Sequence, residues 1–162
     1  MLFNPAQVIT VMLNRGLIRF GLILEFIAEF LYFIVILYPE YFYSPPLILL
    51  IVLTYMVSSV IMYLGFNGYS KSLSIGSIGA LLLVLGSSLL LMAHFTPQTY
   101  VITVISMGIA FLGDVSISMF FWKTMQRDLL IKIGAVLNAV PIITFIGSLL
   151  LAISLNHIED SD

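Results

Sequence analysis

The chain has 162 residues, 61% of them hydrophobic and only 9% charged, with a mean hydropathy of +1.17, whereas a soluble domain carries about 25% charged residues. A helix needs roughly 20 apolar residues to cross a hydrocarbon core of about 30 Å, so this length leaves room for four to six membrane spans and excludes a sizeable soluble catalytic domain. Cysteine is absent, which excludes disulfides, thiolate chemistry and Cys-based metal sites. The net charge of −2 says less about partners than the placement of the charges does.

In chain order, Asn4-Pro5 followed by Val8, Ile9, Met12 and Leu13 predicts either a short interfacial amphipathic helix over 5–15 or a first span that starts early and tilts. The first apolar segment, 17–38, is too long for a cleavable signal and lacks a small-residue cleavage site. Ser44-Pro45-Pro46 opens a second segment over 46–66, and Gly65-Phe66-Asn67-Gly68 separates it from a third over 73–95. Thr96-Pro97 precedes a fourth over 99–121, and a polar link from Lys123 to Lys132 precedes a fifth over 131–155. Proline and glycine punctuate these breaks, and proline suits the first turn of a helix. The expectation is an all-α integral membrane bundle of about five transmembrane helices forming one domain.

Lys and Arg favour cytoplasmic loops close to helix ends. With five spans, Arg15, Arg19, Lys71, Lys123, Arg127 and Lys132 all fall on one side. Glu40, the Thr96–Gln98 turn and the acidic tail of Glu159, Asp160 and Asp162 fall on the other. The N-terminus is therefore expected in the cytoplasm and the C-terminus outside. Tyr38, Tyr41, Phe42, Tyr43 and Tyr100 suit the outer interface, and Tyr69 and Trp122 the inner one.

Glu25 and Glu29 lie mid-span at i, i+4 spacing, on one helix face. The fifteen Leu, Ile, Val and Phe residues of 17–38 favour insertion by roughly 5–9 kcal/mol in all. Two ionised acids at roughly 2.5–3.5 kcal/mol each nearly cancel that gain. The acids are thus either neutralised by protons or turned toward partners or water inside a bundle. Arg15 and Arg19 fall near the same side of the helix, completing a polar stripe that should face protein. Asp114 is a third intramembrane acid; counted from the helix ends, it sits about 10 Å deep and Glu25 about 12 Å deep, so antiparallel helices can bring them together. In the fifth segment Gly134, Asn138, Pro141 and Ser148 share a face, and Pro141 frees the carbonyl of Leu137, predicting a bend lined by an amide. Ser72, Gly76, Gly79 and Gly86 make a small-residue seam for close helix packing.

His94 and His157 lack partners at metal-ligand spacing and read as interfacial residues. No HExxH, GxSxG, GxGxxG or P-loop occurs, so no cofactor or metal site and no enzymatic activity is expected, and the sparse basic residues do not make a nucleic-acid surface. The run from Phe121 to Ser154, FWKTMQRDLLIKIGAVLNAVPIITFIGSLLLAIS, resembles the closing portion of small archaeal multi-spanning membrane proteins of unknown function. That resemblance implies a fold type and no chemistry. Two functional readings follow from the acids. In the first, they pair with another membrane subunit or a second copy of the chain, in a non-enzymatic subunit or assembly partner of a complex. In the alternative, Glu25, Glu29 and Asp114, with Arg19 and Asn138 nearby, form the ion site of a small proton- or cation-coupled transporter or channel. Either places a multi-pass protein in the cell membrane, with the lipid bilayer as its first partner.

Overall fold

The computed structural model describes residues 5–69, 74–96, 99–124 and 128–159, with side chains described except for those of 5–12, 69 and 156–159. Ser72, Lys71, Arg127 and the side chain of His157 lie outside this description. The described residues form helices α1 (Pro5–Leu37), α2 (Pro39–Phe42), α3 (Pro45–Tyr69), α4 (Ile75–His94), α5 (Thr99–Thr124), α6 (Leu129–Asn138) and α7 (Thr144–Glu159). Four of these, α1, α3, α4 and α5, are long and apolar enough to cross a membrane. The chain is an all-α, multi-pass membrane bundle.

Local chemistry sets the helix ends. Pro39 and Pro45 occupy first turns, where a missing N–H costs nothing. Ser74 caps α4 by accepting from the Ser77 N–H at 3.1 Å. Asp128 caps α6 by accepting from the N–H groups of Leu130 at 2.8 Å and Ile131 at 3.4 Å. At the amino end no separate interfacial helix forms. With no proline between Pro5 and Leu37, one 33-residue helix runs for about 50 Å, well beyond the hydrocarbon thickness.

The fifth apolar segment departs from the expected span. α6 and α7 pack against each other, and a Cβ on Gly134 would meet Leu150 and Leu151, while one on Gly147 would overlap the backbone of Asn138. Pairing 134 with 150 and 138 with 147 is antiparallel, so 129–159 is a hairpin of two half-length helices rather than one bent span. Two features turn the chain at its tip. Pro141 cannot continue the helix, and Ile142 sits at φ 79°, a left-handed conformation that a β-branched residue adopts only under strain. Irregular backbone at membrane depth is tolerated where it lines a cavity, and Pro141 and Ile142 line one here.

The packing order closes a ring: α1 against α3, α3 against α4, α4 against α5, α5 against α6, α6 against α7, and α7 back onto α1. α7 runs antiparallel to α1. Phe145 stacks among Phe30 and Phe33, at 5.7 and 5.3 Å between ring centroids, while Leu151, Ala152 and Leu155 join Ile18 and Leu22 in the main core. The hairpin therefore enters and leaves at the end of the bundle that carries Arg15, Arg19, Lys123 and Lys132, and Glu159 returns to that end. The C-terminal helix thus faces the same way as the N-terminus, not the opposite way. In this cysteine-free chain, cysteines appended at the two termini are expected to react with an impermeant thiol reagent from one side, and Glu40→Cys from the other. Labelling of the C-terminus together with Glu40→Cys would restore a fifth crossing.

Small residues set the helix spacing. A Cβ on Gly79 would press on the Gly113 carbonyl and Ile117, and one on Gly86 on Ala110 and the Ser106 carbonyl, so α4 and α5 approach backbone to backbone. Gly76 instead lies under Phe66 and Phe120. The half of the bundle around Ile18, Leu22, Met62, Phe66, Leu83, Ile117, Phe121 and Ile131 is a continuous core; the other, hollow half has only a smaller cluster of Ala28, Val35 and Ile51 beside a cavity.

Candidate functional site

The acids converge where the core gives way to the hollow half. On α1, Glu25, Glu29, Tyr32 and Ile36 follow i, i+4, i+7, i+11 spacing and form one stripe that runs from buried Glu25 to the exposed Tyr32 and Ile36. Glu25 is fully buried, and Asp114 on α5 is 6% exposed. Glu25, Glu29 and Asp114 each offer a carboxylate oxygen, and these three oxygens lie within 4.8 Å of one another. α1 and α5 do not pack along their lengths; the hairpin stands between them, and its tip completes the cluster.

That tip carries a buried polar network. Asn138, the last residue of α6 and fully buried, donates through Nδ2 to Ser118 Oγ at 3.3 Å and to the Asp114 carbonyl at 3.5 Å. Its Oδ1 accepts from Ser148 Oγ at 2.8 Å. Ser148 Oγ also lies 3.1 Å from Glu25 Oε2 and 3.2 Å from the Thr144 carbonyl. A hydroxyl donates one proton at a time, so the Ser148 O–H is shared among three acceptors, Asn138 Oδ1, Glu25 Oε2 and the Thr144 carbonyl. One chain of bonds then runs from α1 through α7 and α6 to α5.

Among the described residues, each acid keeps one buried oxygen without a hydrogen-bond partner: Glu25 Oε1, Glu29 Oε2 and Asp114 Oδ1. Such atoms are expensive in a dry interior unless something binds them. Glu29 and Asp114 face a cavity of about 560 Å³ that occupies the hollow half of the bundle. The tip residues Pro141 and Ile142 line it beside the acids, Tyr55 contributes from α3, and Tyr43, His94 and Thr99 lie toward the Glu40 end.

Arg19 stands apart. Six residues from Glu25, it is about 9 Å away along the helix, and its Nε has no hydrogen-bond partner among the described residues. The expected stripe is thus divided, with the arginines at the basic end and the acids at mid-bundle. Lys132 likewise sits at the basic end, its Nζ 5.6 Å from the Trp122 ring centroid. Ser148 was visible in the sequence as sharing a face with Asn138; in the hairpin the two face each other across helices. Tyr55 gave no sequence signal beyond a polar atom in an apolar span. No protein family, curated protein or solved structure matches this chain.

Proposed function

We propose that the protein is a small, non-enzymatic transporter or channel for protons or a cation, and that Glu25, Glu29 and Asp114 form its ion site. The observation that carries this reading is the convergence of three acids, each with an unpartnered buried oxygen. Two ionised carboxylate oxygens within 4.8 Å of each other repel by at least about 3 kcal/mol at an effective dielectric of about 20. Three such charges are therefore held together by bound positive charge, supplied as protons or as a cation. The cavity gives that charge a route toward the Glu40 end, and the packed core closes the basic end. By the preference of Lys and Arg for cytoplasmic termini, the basic end faces the cytoplasm of a cell membrane and the cavity opens outward.

A subunit role drew its support from a polar stripe in need of a partner chain. The acids instead meet within this chain, which favours transport. Reconstituted in liposomes with a trapped pH-sensitive dye, the protein is expected to carry a proton or cation flux that Glu29→Gln and Asp114→Asn each reduce at least about 10-fold. Equal flux in both variants and the parent would overturn the proposal.

A further inference from the structure

We infer that the ligand of this site is an amphipathic organic cation, an ammonium or similar group bearing an apolar body, with its charge at Glu29 and Asp114 and its body in the cavity. The inference rests on the reading of the acids as a cation site and adds the class of cation. Size comes first. A proton needs no cavity and a bare metal ion needs little more than the roughly 30 Å³ of one water, whereas about 560 Å³ lies within the roughly 300–1,000 Å³ of organic-ligand sites.

Wall chemistry agrees. Tyr32, Tyr55, Ile51, Met107 and Phe111 supply apolar and aromatic surface, which attracts a weakly hydrated cation through ring faces as well as by burial. Among the described residues no Lys or Arg lines the cavity; its acids are Glu29 and Asp114, and His94 lines it toward the Glu40 end. An anionic ligand would add repulsion to Glu29 and Asp114, and a neutral one could pair Glu29 Oε2 and Asp114 Oδ1 without offsetting their charge; a cation offsets it. Glu25, fully buried and in contact with Ser148, lies behind them and does not line the cavity.

Access points the same way. The hairpin stops at Ile142, which is 75% exposed, and α1 and α5 do not pack along their lengths. Tyr32 and Ile36 on α1 and Met107 and Phe111 on α5 line the cavity and are exposed. The cavity wall between these helices is thus open at membrane depth, where an amphipathic molecule partitions and a hydrated ion does not.

The test uses the full chain in lipid nanodiscs with radiolabelled tetraphenylphosphonium, with tetramethylammonium and Mn²⁺ as competitors. Tetraphenylphosphonium is expected to bind saturably, with affinity falling on the order of 100-fold in Asp114→Asn. Met107→Trp, which narrows the cavity from its exposed wall about 10 Å along α5 from Asp114, is expected to weaken binding at least about 10-fold while the variant still elutes as the parent does. Tetramethylammonium, which has the charge without the body, is expected to compete at least about 10-fold more weakly. The inference is overturned if tetraphenylphosphonium shows no saturable binding up to about 1 mM, if Met107→Trp binds as the parent does, or if tetramethylammonium or Mn²⁺ competes equally well. If acid-dependent flux in liposomes persists in those cases, the ion site stands and only its ligand class falls; if that flux is also absent, both readings fall.

Discussion

Asn138→Ala is expected to destabilise the protein by about 2–4 kcal/mol, seen as a lower midpoint in thermal unfolding in mild detergent. Asn138 is fully buried and holds three groups: Ser148 Oγ, Ser118 Oγ and the Asp114 carbonyl. Each buried group left without its partner costs about 1–3 kcal/mol in a soluble core, and about 0.6–2 kcal/mol per bond in membrane proteins. The cavity left by the amide adds to this. Because the network joins α5, α6 and α7 to α1, the loss is expected to spread to ligand binding even though Asn138 does not line the cavity. Asn138→Ser, which keeps a donor, should recover part of the stability. An unchanged midpoint in Asn138→Ala would mean that packing alone holds the hairpin.

Glu25→Gln is expected to do the reverse, raising stability while removing function. The substitution keeps the shape and an oxygen that accepts from Ser148 Oγ, and it deletes one of three acids whose oxygens lie within 4.8 Å. Relief of repulsion of about 3 kcal/mol per ionised pair, diluted by whatever positive charge the cluster binds, is expected to leave a gain of about 1–3 kcal/mol. Gains of this kind at a cost in activity mark strained functional sites. The measurement pairs thermal unfolding with liposome flux. A variant both less stable and still active would show that Glu25 is a packing residue whose carboxylate the fold needs.

The four long helices were legible because each contains a span-length apolar run bounded by proline, glycine or charge, signals that act locally along the chain. The meeting of Glu25 and Asp114 was legible from depth alone, since the membrane places residues of equal depth in one layer. Which element lies between them was not. Hydropathy is the same for one span or two half-helices folded back, so 131–155 carries the composition of a crossing. The charge pattern could not separate the two either. No Lys or Arg follows Lys132, so every basic residue stays on one side whether or not the chain crosses again, and the acidic tail weighs little. The deciding features are tertiary: the left-handed turn at Ile142 and the seating of Gly147 on the Asn138 backbone. Arg19 shares a side of α1 with Glu25 but stands about 9 Å from it along the axis, a separation that angular position alone does not show.

The hairpin also constrains how the protein is made. Ten residues of α6 are too few to be handed to lipid as a membrane-spanning unit, and their turn would expose free carbonyls there. The tip can settle only after α1, α3, α4 and α5 have assembled around the space it fills. Biogenesis is therefore ordered, with the long helices inserting as they emerge and 129–159 docking last. A chain ending at Thr124 would be an inserted intermediate whose interior acids lie uncovered, the species that membrane quality control would meet if docking failed.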